Sequence, residues 1–495
     1  MCGICGRTLC GGSGRLLEWS AMMRKVKIVC TIGPASDSPE VLDRLIGSGM
    51  DAARLNFSHG SQELHGRAIK AIREASGRWR AAVAIIQDLQ GPRIRVGTMP
   101  EQGIELVPGQ EVKLLPGQAQ LLAASNEIPV TYAQLAQDVR PGARVLIDDG
   151  LVELRVIRSA VSAVQCAVVT GGRITSHKGM NLPGTKVSAP TLTDKDREDL
   201  RFGVAQGVDY VALSFVRGPE DIVAAKKLIA ECGGDTPVIA KIERPEAVVC
   251  LESLLEQADG LMIARGDLGV EMDPEAVPVL QKRIIAEANN RRRLVITATQ
   301  MLESMTQHHR PTRAEASDVA NAVFDGSDAV MLSAETAIGQ YPVETVRVMD
   351  RIVRAAEEGV EPVVARRAGP WRGEVSVPEA ICGAAFRAAA STDAAAIVAF
   401  SESGTTARLM SKQRPAAPIF ALTPFETVRQ RMALYWGVVP HTMPQIEQTD
   451  ERVREAERRL KAEGLVATGQ RIVILSGTEI ARPGGTNLMK LHQVA

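Results

Sequence analysis

The stretch that decides the fold is residues 208–243, VDYVALSFVRGPEDIVAAKKLIAECGGDTPVIAKIE. Its two ends are apolar, β-branched runs of strand length, and the middle segment, PEDIVAAKKLIAEC, opens with proline and repeats apolar residues at helical spacing. Two strands joined through one helix lie parallel, and a parallel strand that is covered on both faces is apolar throughout. The stretch therefore predicts one strand–helix–strand unit of a buried parallel sheet.

The same unit recurs along the chain. Amphipathic segments such as SPEVLDRLIGSG (38–49) and SQELHGRAIKAIREA (61–75) separate short apolar runs. The runs that predict strands are KIVCTIG (27–33), AARLNFS (52–58), AVAIIQD (82–88), VDYVALSFV (208–216), TPVIAKIE (236–243), GLMIARGD (260–267), LVITATQ (294–300) and DAVMLSAE (328–335). Eight alternations of buried strand and helix predict a protein of the α/β class built on a (β/α)8 TIM barrel.

Two regions depart from this pattern. Short alternating runs between Pro-Gly turns at 95–176 predict a small all-β domain inserted after the third strand. After about residue 355, a linker leads to renewed helix–strand alternation, which predicts a C-terminal α/β domain at 356–495. The barrel would then comprise residues 23–94 and 177–355.

Residues 1–22 have no apolar periodicity, and we expect them to form a disordered extension. Cys2, Cys5 and Cys10 could supply three zinc ligands, but no fourth ligand follows at a recognisable spacing. Both interpretations stay open, with disorder the simpler one.

Composition limits the classes of function. The 495 residues have a net charge of zero and 3% aromatic residues, which argues against a basic, base-stacking nucleic-acid surface. No apolar run reaches the roughly 20 residues of a membrane helix, and nothing at the N-terminus has the apolar core of a secretion signal. Five cysteines scattered through apolar segments are typical of a reducing compartment. We expect a cytoplasmic protein with no nucleic-acid or membrane partner.

Polar side chains occur where predicted strands end. On a strand, residues i and i+2 share a face, and the working residues of a barrel lie at the C-terminal ends of its strands. The candidates are Arg54, Asn56, Ser58 and His59; Asp88, Arg93 and Arg95; Lys241 and Glu243; Arg265, Gly266 and Asp267; and Thr297 and Thr299. Each set alone has an ordinary structural explanation, but five converging sets of charges are costly to desolvate without a ligand.

These residue types indicate one chemistry. Two carboxylates, Glu243 and Asp267, suit Mg²⁺ or Mn²⁺, which takes few protein ligands and fills its other positions with substrate oxygens and water. Arginines and a lysine around such a metal suit a phosphoryl group, whose transfer depends on positioning and charge neutralisation. The cluster predicts metal-assisted phosphoryl transfer.

The motifs taken together resemble the pyruvate kinase family. They are KIVCTIGPAS, RLNFSHG, GPRIR, HKGMNLPG, AKIER, ARGDLGVE, ATQMLESM and RPTRAEASDVANAVFDGSDAVMLSAETAIGQYP, in order from residue 25 onward. The resemblance implies transfer of a phosphoryl group from phosphoenolpyruvate to ADP, giving ATP and pyruvate, the last step of glycolysis. It also implies that the insertion closes over the site, that the C-terminal domain is regulatory, and that the chain forms a homotetramer.

The resemblance implies roles for the residues around the substrate. Lys241 would stabilise the migrating phosphoryl group, and Glu243 and Asp267 would hold the divalent metal. The backbone amides of Gly266 and Asp267 and the hydroxyl of Thr299 would hold the substrate carboxylate, with Thr299 near the proton path to pyruvate.

The resemblance also implies roles on the nucleotide side. Arg54 and Arg95 would face the transferring phosphate and the nucleotide, and Asn56, His59 and Lys178 would contact the nucleotide.

Arg93 departs from the potassium-requiring relatives, which have an acidic side chain at this position. In those relatives the residues at Asn56, Ser58 and Asp88, with a threonine at the position of Leu89, supply oxygen ligands to K⁺. Relatives that work without potassium resemble this chain and carry a lysine in place of the acid. We predict that the Arg93 guanidinium substitutes for K⁺, although arginine is longer and its charge more dispersed than that of lysine. The alternative is an arginine turned to solvent.

The C-terminal segment SESGTTA, residues 401–407, lies between a predicted strand and helix. Such a turn is often only a helix cap, but it also forms an anion pocket. By resemblance, Ser401, Ser403, Gly404, Thr405 and Thr406 fall on the family's effector phosphate loop, and Arg482 is a candidate partner from a second loop. A phosphorylated sugar or a nucleoside monophosphate would suit this pocket.

Three other functions explain only part of this pattern. A metal-dependent lyase of the pyruvate-aldolase type leaves the nucleotide-side residues and the insertion unexplained. A Schiff-base aldolase at Lys241 leaves the paired carboxylates unexplained, and a non-enzymatic metabolite sensor would not need an intact set of strand-end residues.

Overall fold

The computed structural model describes residues 23–118, 126–359, 375–477 and 485–495. The predicted extension 1–22, with its three cysteines, and Arg482 of the predicted effector site lie outside these ranges.

Eight parallel strands close into a barrel, which confirms the fold class predicted from the sequence. In order around the barrel they are β1 (Lys27–Ile32), β2 (Ala52–Asn56), β3 (Ala84–Asp88), β12 (Tyr210–Leu213), β13 (Val238–Ile242), β14 (Gly260–Ala264), β15 (Leu294–Ala298) and β16 (Ala329–Leu332). Most of these strands are buried at every residue, because each packs inside the barrel on one face and under helices on the other.

Helices cover the outside of the barrel and follow its strands. They are α1 (Pro39–Gly47), α2 (Gln62–Trp79), α4 (Asp194–Ala205), α5 (Pro219–Glu231), α6 (Pro245–Val249), α7 (Leu251–Gln257), α8 (Arg265–Glu271), α9 (Val277–Asn290), α10 (Arg313–Asp325), α11 (Ala334–Ala337) and α12 (Pro342–Gly359). Local sequence fixes several starts. At α10, the Thr312 hydroxyl accepts from the Glu315 amide at 3.2 Å while the Glu315 carboxylate accepts from the Thr312 amide at 2.7 Å, a reciprocal capping box.

The inserted segment forms its own sheets between β3 and β12. Its strands are β4 (Ile104–Leu106), β5 (Glu111–Pro116), β6 (Glu127–Val130), β7 (Arg144–Ile147), β8 (Val152–Ala160), β9 (Ala163–Thr170), β10 (Gly172–Ile174) and β11 (Met180–Asn181), with one short helix, α3 (Leu135–Asp138). Six of them form one sheet in the order β11-β7-β8-β9-β5-β6, and β10 pairs with β4. Because β3 pairs directly with β12, the insertion leaves the barrel closed.

The C-terminal unit is a five-stranded sheet with helices, in the order β19-β18-β17-β20-β21. Its elements are α13 (Val377–Ser391), β17 (Ala396–Phe400), α14 (Thr405–Ser411), β18 (Ile419–Thr423), α15 (Glu426–Met432), β19 (Val438–Thr442), α16 (Thr449–Ala462), β20 (Arg471–Gly477) and β21 (Thr486–Gln493). The sequence predicts β17, β18 and β20 but not β19 or β21. Both missed strands lie at sheet edges and are partly exposed, so they lack a continuous apolar run.

The C-terminal unit closes one end of the barrel. Ala433 and Leu434, just after α15, pack in one buried cluster with barrel residues such as Val29 and Ala52. The Tyr210 hydroxyl in β12 donates to the Arg431 carbonyl at 2.9 Å. The insertion follows β3 and so begins at the opposite end of the barrel, where the strands terminate. Among the described residues, no helix combines the length and apolarity that a membrane crossing requires.

Candidate active site

Lys241 lies at the centre of the strand-end cluster. Its Nζ is 2.7 Å from Glu243 Oε1 and 3.3 Å from Asp88 Oδ1, and it donates to Ser214 Oγ at 2.8 Å. Burial disfavours the ammonium, but Asp88 and Glu243 outweigh burial and hold the pKa of Lys241 above its usual value. The predicted pairing of Lys241 with Glu243 is therefore present, and the site holds a fixed positive charge.

Arg54 is a second cation that contacts the buried carboxylate of Asp88. Arg54 Nε lies 2.6 Å from Asp88 Oδ2, and its Nη1 donates to Thr31 Oγ1 at 3.0 Å. Asp88 is only 1% exposed, and burial would raise its pKa, yet Lys241 and Arg54 lower it below the usual range. Asp88 thus remains ionised and anchors Arg54 and Lys241 next to each other.

Glu243 and Asp267 are the predicted metal ligands. Burial raises the pKa of Glu243, Lys241 opposes the rise, and the nearby charge of Asp267 adds to it. Two carboxylates that repel each other in this way are stabilised by a divalent cation between them. Within the part of the chain that the structure describes, no three His, Cys, Asp or Glu side chains form a metal-holding group. The two carboxylates supply the kind of oxygen donor that Mg²⁺ or Mn²⁺ takes, with the remaining positions filled by substrate oxygens and water.

Thr299 and Gly266 meet across two strand ends. The Gly266 amide donates to Thr299 Oγ1 at 2.8 Å, and this hydroxyl donates to the Ala298 carbonyl at 2.7 Å. The predicted carboxylate-holding groups are therefore together. Thr297 does not take part in this contact, because its hydroxyl forms a hydrogen bond with that of Ser327 at 2.7 Å. Thr299 has a φ of 66°, so the strand rule that residues i and i+2 share a face does not apply to these two threonines.

One detail of the sequence interpretation is wrong. Arg265, Gly266 and Asp267 do not extend the sixth strand but form the first turn of helix α8. Strand pairing ends at Ala264, opposite Ala298, and the chain turns at once into the helix. The turn directs the amide of Gly266 toward Thr299.

The predicted nucleotide side lies where the insertion joins the barrel. Arg95 Nη1 donates to the His177 carbonyl at 2.9 Å, and Lys178 Nζ lies 2.9 Å from Asp148 Oδ1. His59 is exposed in the turn after β2, and its pKa is lowered by partial burial and by Arg95, with smaller effects of Arg93 and Arg54. These residues therefore share one positively charged rim that suits phosphate groups.

Arg93 points along this rim toward the candidate metal site. Its Nη2 lies 3.7 Å from Asp267 Oδ1. Leu89 is buried, and the Asn56 side-chain oxygen accepts from the Ser58 amide at 3.2 Å. The side-chain oxygens of Asn56 and Asp88, at two of the positions that bind K⁺ in relatives, thus have a backbone and a cationic partner. Arg93 contacts a carboxylate of the site.

Comparisons with known proteins agree with this geometry. A family model described as the pyruvate kinase barrel domain matches residues 23–346, and another, described as the pyruvate kinase alpha/beta domain, matches residues 379–492.

The chain belongs to the pyruvate kinase family.

Relatives match over most of the chain. A pyruvate kinase of Geobacillus stearothermophilus is 46% identical over 479 residues, which cover 96% of this chain and 81% of the relative. Pyruvate kinase 2 of a Synechocystis strain is 44% identical over 481 residues, covering 97% and 80%. The crystal structure of a pyruvate kinase from Cryptosporidium parvum superposes with a TM-score of 0.91 at 38% identity, covering 98% of this chain and all of that one. Membership of the pyruvate kinase family makes the chain an enzyme and implies a divalent-metal requirement.

The predicted effector loop of this pyruvate kinase follows β17. Gly404 has a φ of 81°, which glycine adopts without strain, and Ser403 and Thr405 place their hydroxyl oxygens 3.0 Å apart. The Thr406 hydroxyl bonds instead to Thr486 and is buried. Ser401 is also buried, and its hydroxyl has no hydrogen-bond partner among the described residues.

Arg452 of α16 is a residue of this region that sequence reasoning missed. Its Nη1 donates to Ser476 Oγ at 3.2 Å, and its guanidinium lies over the ring of Phe400, 5.5 Å from the ring centroid. Its Nε and Nη2 are buried without a hydrogen-bond partner in the described ranges. Strands β17 and β20 are adjacent in the sheet, and Arg452 contacts Phe400 and Ser476 at their carboxyl ends. Only this topology identifies Arg452.

Sequence reasoning also missed two groups around Lys241. Ser214 accepts from Lys241 and donates to the Leu89 carbonyl at 2.7 Å, and the Phe215 amide donates to Glu243 Oε2 at 2.7 Å. Ser214 was detectable, because it is a polar residue at the end of an otherwise apolar predicted strand. The Phe215 amide carries no sequence signal.

Proposed function

We propose that this pyruvate kinase transfers the phosphoryl group of phosphoenolpyruvate to ADP with Mg²⁺ or Mn²⁺ and without a requirement for K⁺. The observation that carries the proposal is Lys241, an ammonium held between the buried carboxylates of Asp88 and Glu243 beside Arg54. Phosphoryl transfer needs fixed positive charge at the three equatorial oxygens of the migrating group, and this cluster supplies such charge.

Each residue of the cluster has a specific task in this proposal. Lys241 and Arg54 neutralise the migrating phosphoryl group, while the charged rim at Arg95 orients the nucleotide. Glu243 and Asp267 would hold the divalent cation, which supplies further charge neutralisation to substrate oxygens. The hydroxyl of Thr299, beside the Gly266 amide, would orient the substrate carboxylate and the proton path to the enolate carbon.

The insertion supplies the remaining requirement, which is exclusion of water. We place the barrel at 23–94 and 177–355, the lid at 95–176 and the regulatory unit at 356–495. β11 lies just past residue 176 but pairs in the sheet of the insertion. The side chain of its Asn181 donates to Glu271 Oε1 of α8 at 2.8 Å, so the sheet that carries the lid contacts the helix that carries Asp267. Closing the lid over bound substrate would favour transfer to ADP over hydrolysis.

Arg93 replaces the monovalent cation in the proposal. Its guanidinium lies 3.7 Å from Asp267, where it places a permanent positive charge beside the candidate metal site. Leu89 offers no side-chain oxygen, so the oxygen set for K⁺ is incomplete. The contact with Asp267 favours this role over an arginine turned to solvent.

Regulation would act through the C-terminal unit. Ser401 Oγ and Arg452 Nε and Nη2 are buried near the carboxyl ends of β17 and β20 and have no hydrogen-bond partner among the described residues. Ser403 and Thr405 add hydroxyls at the exposed side. This donor set suits the phosphate of a sugar phosphate or of a nucleoside monophosphate. By family resemblance, the assembly is a homotetramer. Five free cysteines in the described ranges favour a reducing, cytoplasmic location.

The test is an assay of pyruvate and ATP formation from phosphoenolpyruvate and ADP. It is run with Mg²⁺ in a buffer of tetramethylammonium salts, with and without added K⁺. The proposal expects full activity without K⁺ and none without a divalent metal. Strict dependence on K⁺ would contradict the role of Arg93. Absence of ATP formation in every condition would contradict the proposed reaction and favour one of the alternatives, a lyase, a Schiff-base aldolase or a sensor.

A further inference from the structure

The segment that carries Thr299 has an unusual backbone. Thr299 has a φ of 66° and Gln300 a φ of 53°, so two consecutive residues with side chains occupy the left-handed region. A β-branched residue is rarely found there, because its side chain meets its own backbone, and such conformations persist only where surrounding contacts hold them. A group outside the segment must therefore stabilise it.

Arg265 is that group. Its Nη2 donates to the Thr299 carbonyl at 2.6 Å and to the Gln300 carbonyl at 3.3 Å, and its Nε donates to the Ala298 carbonyl at 3.3 Å. One guanidinium thus gathers three consecutive carbonyls at the end of β15. The fixed fork of an arginine makes such a set of bonds, and the point charge of a lysine does not.

A carboxylate on another helix fixes the guanidinium itself. Asp318 of α10 lies 2.6 Å from Arg265 Nη1, and the Arg265 side chain is 10% exposed. Asp318 follows the capping box that starts α10, so its position is set by a well-defined helix end. Contacts of Arg265 thus connect α10 to the left-handed residues Thr299 and Gln300.

Arg265 is also the residue before Gly266, whose amide donates to Thr299 Oγ1. Arg265 is therefore linked to both partners of this hydrogen bond. Its backbone precedes the donor, Gly266, and its side chain binds the carbonyl of the acceptor residue, Thr299. Arg265 does not itself appear among the groups that face the Lys241 cluster.

We propose that Arg265 is a positioning residue, which holds the Thr299 hydroxyl in register with the Gly266 amide for the proton transfer that converts enolpyruvate to pyruvate. The inference rests on the role proposed above for Thr299. In the reverse direction, the C3–H bond of pyruvate breaks, its electron pair forms the enolate, and the proton leaves to solvent along the Thr299 path. A proton from solvent then forms the new C3–H bond with the electron pair of the enolate, which returns to the ketone. This exchange requires no oxidant or reductant.

The experiment measures kcat for ATP formation and the exchange of deuterium from D₂O into the methyl group of pyruvate, followed by NMR with Mg²⁺ and ATP present. The variants are Arg265→Ala, Thr299→Val and the double substitution. We expect Arg265→Ala to slow exchange by about 10²-fold, the effect of a misplacement near 1 Å, and to leave Mn²⁺ binding unchanged. Because Arg265 acts through Thr299, the double variant should be no slower than Thr299→Val.

Rescue and controls separate positioning from general damage. Millimolar guanidinium should restore exchange in Arg265→Ala but not in the double variant. Arg283→Met removes an exposed arginine from α9 and should leave both rates unchanged. If Arg265→Ala does not fold, Asp318→Asn replaces it, and its smaller loss should likewise disappear in the Thr299→Val background.

The outcomes distinguish this inference from the proposed function. If the losses of Arg265→Ala and Thr299→Val multiply in the double variant, or if exchange proceeds normally in Arg265→Ala, the positioning role is wrong while the enzyme remains a metal-dependent pyruvate kinase. If the unaltered enzyme forms no ATP and exchanges no deuterium, the proposed function itself fails.

Discussion

Lys241 Nζ lies 2.7 Å from Glu243 Oε1, although the ammonium would act on phosphate and the carboxylate on metal. The second oxygen of Glu243 accepts from the Phe215 amide. Each oxygen of this candidate metal ligand thus has a partner within the protein. A bound cation would compete with Lys241 for Oε1, and the released ammonium would then be free to face the phosphoryl group.

Replacement of Lys241 should separate catalysis from metal binding. We expect Lys241→Met to lower kcat by about 10³-fold or more, because fixed cations contribute on this scale to phosphoryl transfer. Mn²⁺ affinity, measured by calorimetry, should not fall, since the substitution frees Glu243 Oε1. The control is Lys226→Met, which removes a partly exposed lysine paired with Asp259 on the outside of the barrel. Activity within tenfold of the unaltered enzyme would contradict the proposed role.

Charge reversal at Arg93 should create a potassium requirement. With Leu89→Thr and Arg93→Glu together, the side chain at 93 no longer supplies a positive charge and both positions offer oxygen ligands. Without K⁺ we expect activity to drop by about 10²-fold, the scale of one lost electrostatic contact to a transition state, and added K⁺ should restore it. Arg173→Glu, a charge reversal elsewhere on the lid, serves as the control. Equal activity with and without K⁺ would count against the substitution of Arg93 for the cation.

Substitution of Arg452 should test whether the C-terminal unit binds a phosphorylated ligand. A panel of sugar phosphates and nucleoside monophosphates is screened for a rise in Tm, which follows from binding to the folded state alone. We expect Arg452→Gln and Thr405→Glu to abolish the rise, the first by removing the guanidinium and the second by repulsion between like charges. Arg458→Gln, which removes an exposed arginine of the same helix, should retain it. A shift that survives in Arg452→Gln would place the ligand elsewhere.

The contact between barrel and C-terminal unit should respond to pH through Lys412. Its Nζ lies 2.5 Å from Asp328 Oδ2, both side chains are buried, and Arg414 Nη2 lies 2.7 Å from the other oxygen of Asp328. Burial lowers the pKa of Lys412 to about 8, Asp328 opposes the effect and Arg414 adds to it. In the unfolded chain the pKa of a lysine is about 10.4, so between these values the unfolded state binds more protons and the free energy of unfolding rises with pH.

The measurement compares urea unfolding of the unaltered protein and Lys412→Met at pH values from 7.5 to 10. The unaltered protein should gain stability relative to Lys412→Met as the pH rises through this window. In Arg414→Met the gain should be smaller, because the positive neighbour that lowers the pKa of Lys412 is absent. A relative loss of stability with rising pH would show that the ammonium is favoured at this interface.

The sequence by itself determined the features that repeat locally. Apolar runs and helical spacing predicted eight barrel strands, and all eight are present, because a buried parallel strand needs an apolar residue at nearly every position. The i, i+2 spacing of Lys241 and Glu243 predicted that their side chains share a face, and their charged atoms are 2.7 Å apart. Edge strands β19 and β21 escaped prediction, because partly exposed strands carry polar residues.

Only the tertiary structure decided which distant groups meet. Asp88 and Lys241 lie on strands separated by β12 around the barrel, and closure of the barrel rather than any local pattern brings them to 3.3 Å. The left-handed backbone at Thr299 is contacted by the remote guanidinium of Arg265, and Arg452 reaches the ends of β17 and β20 only through the strand order of the C-terminal sheet. Side-chain alternation is a property of neighbouring residues, whereas contact between distant residues depends on register and closure, which no single segment encodes.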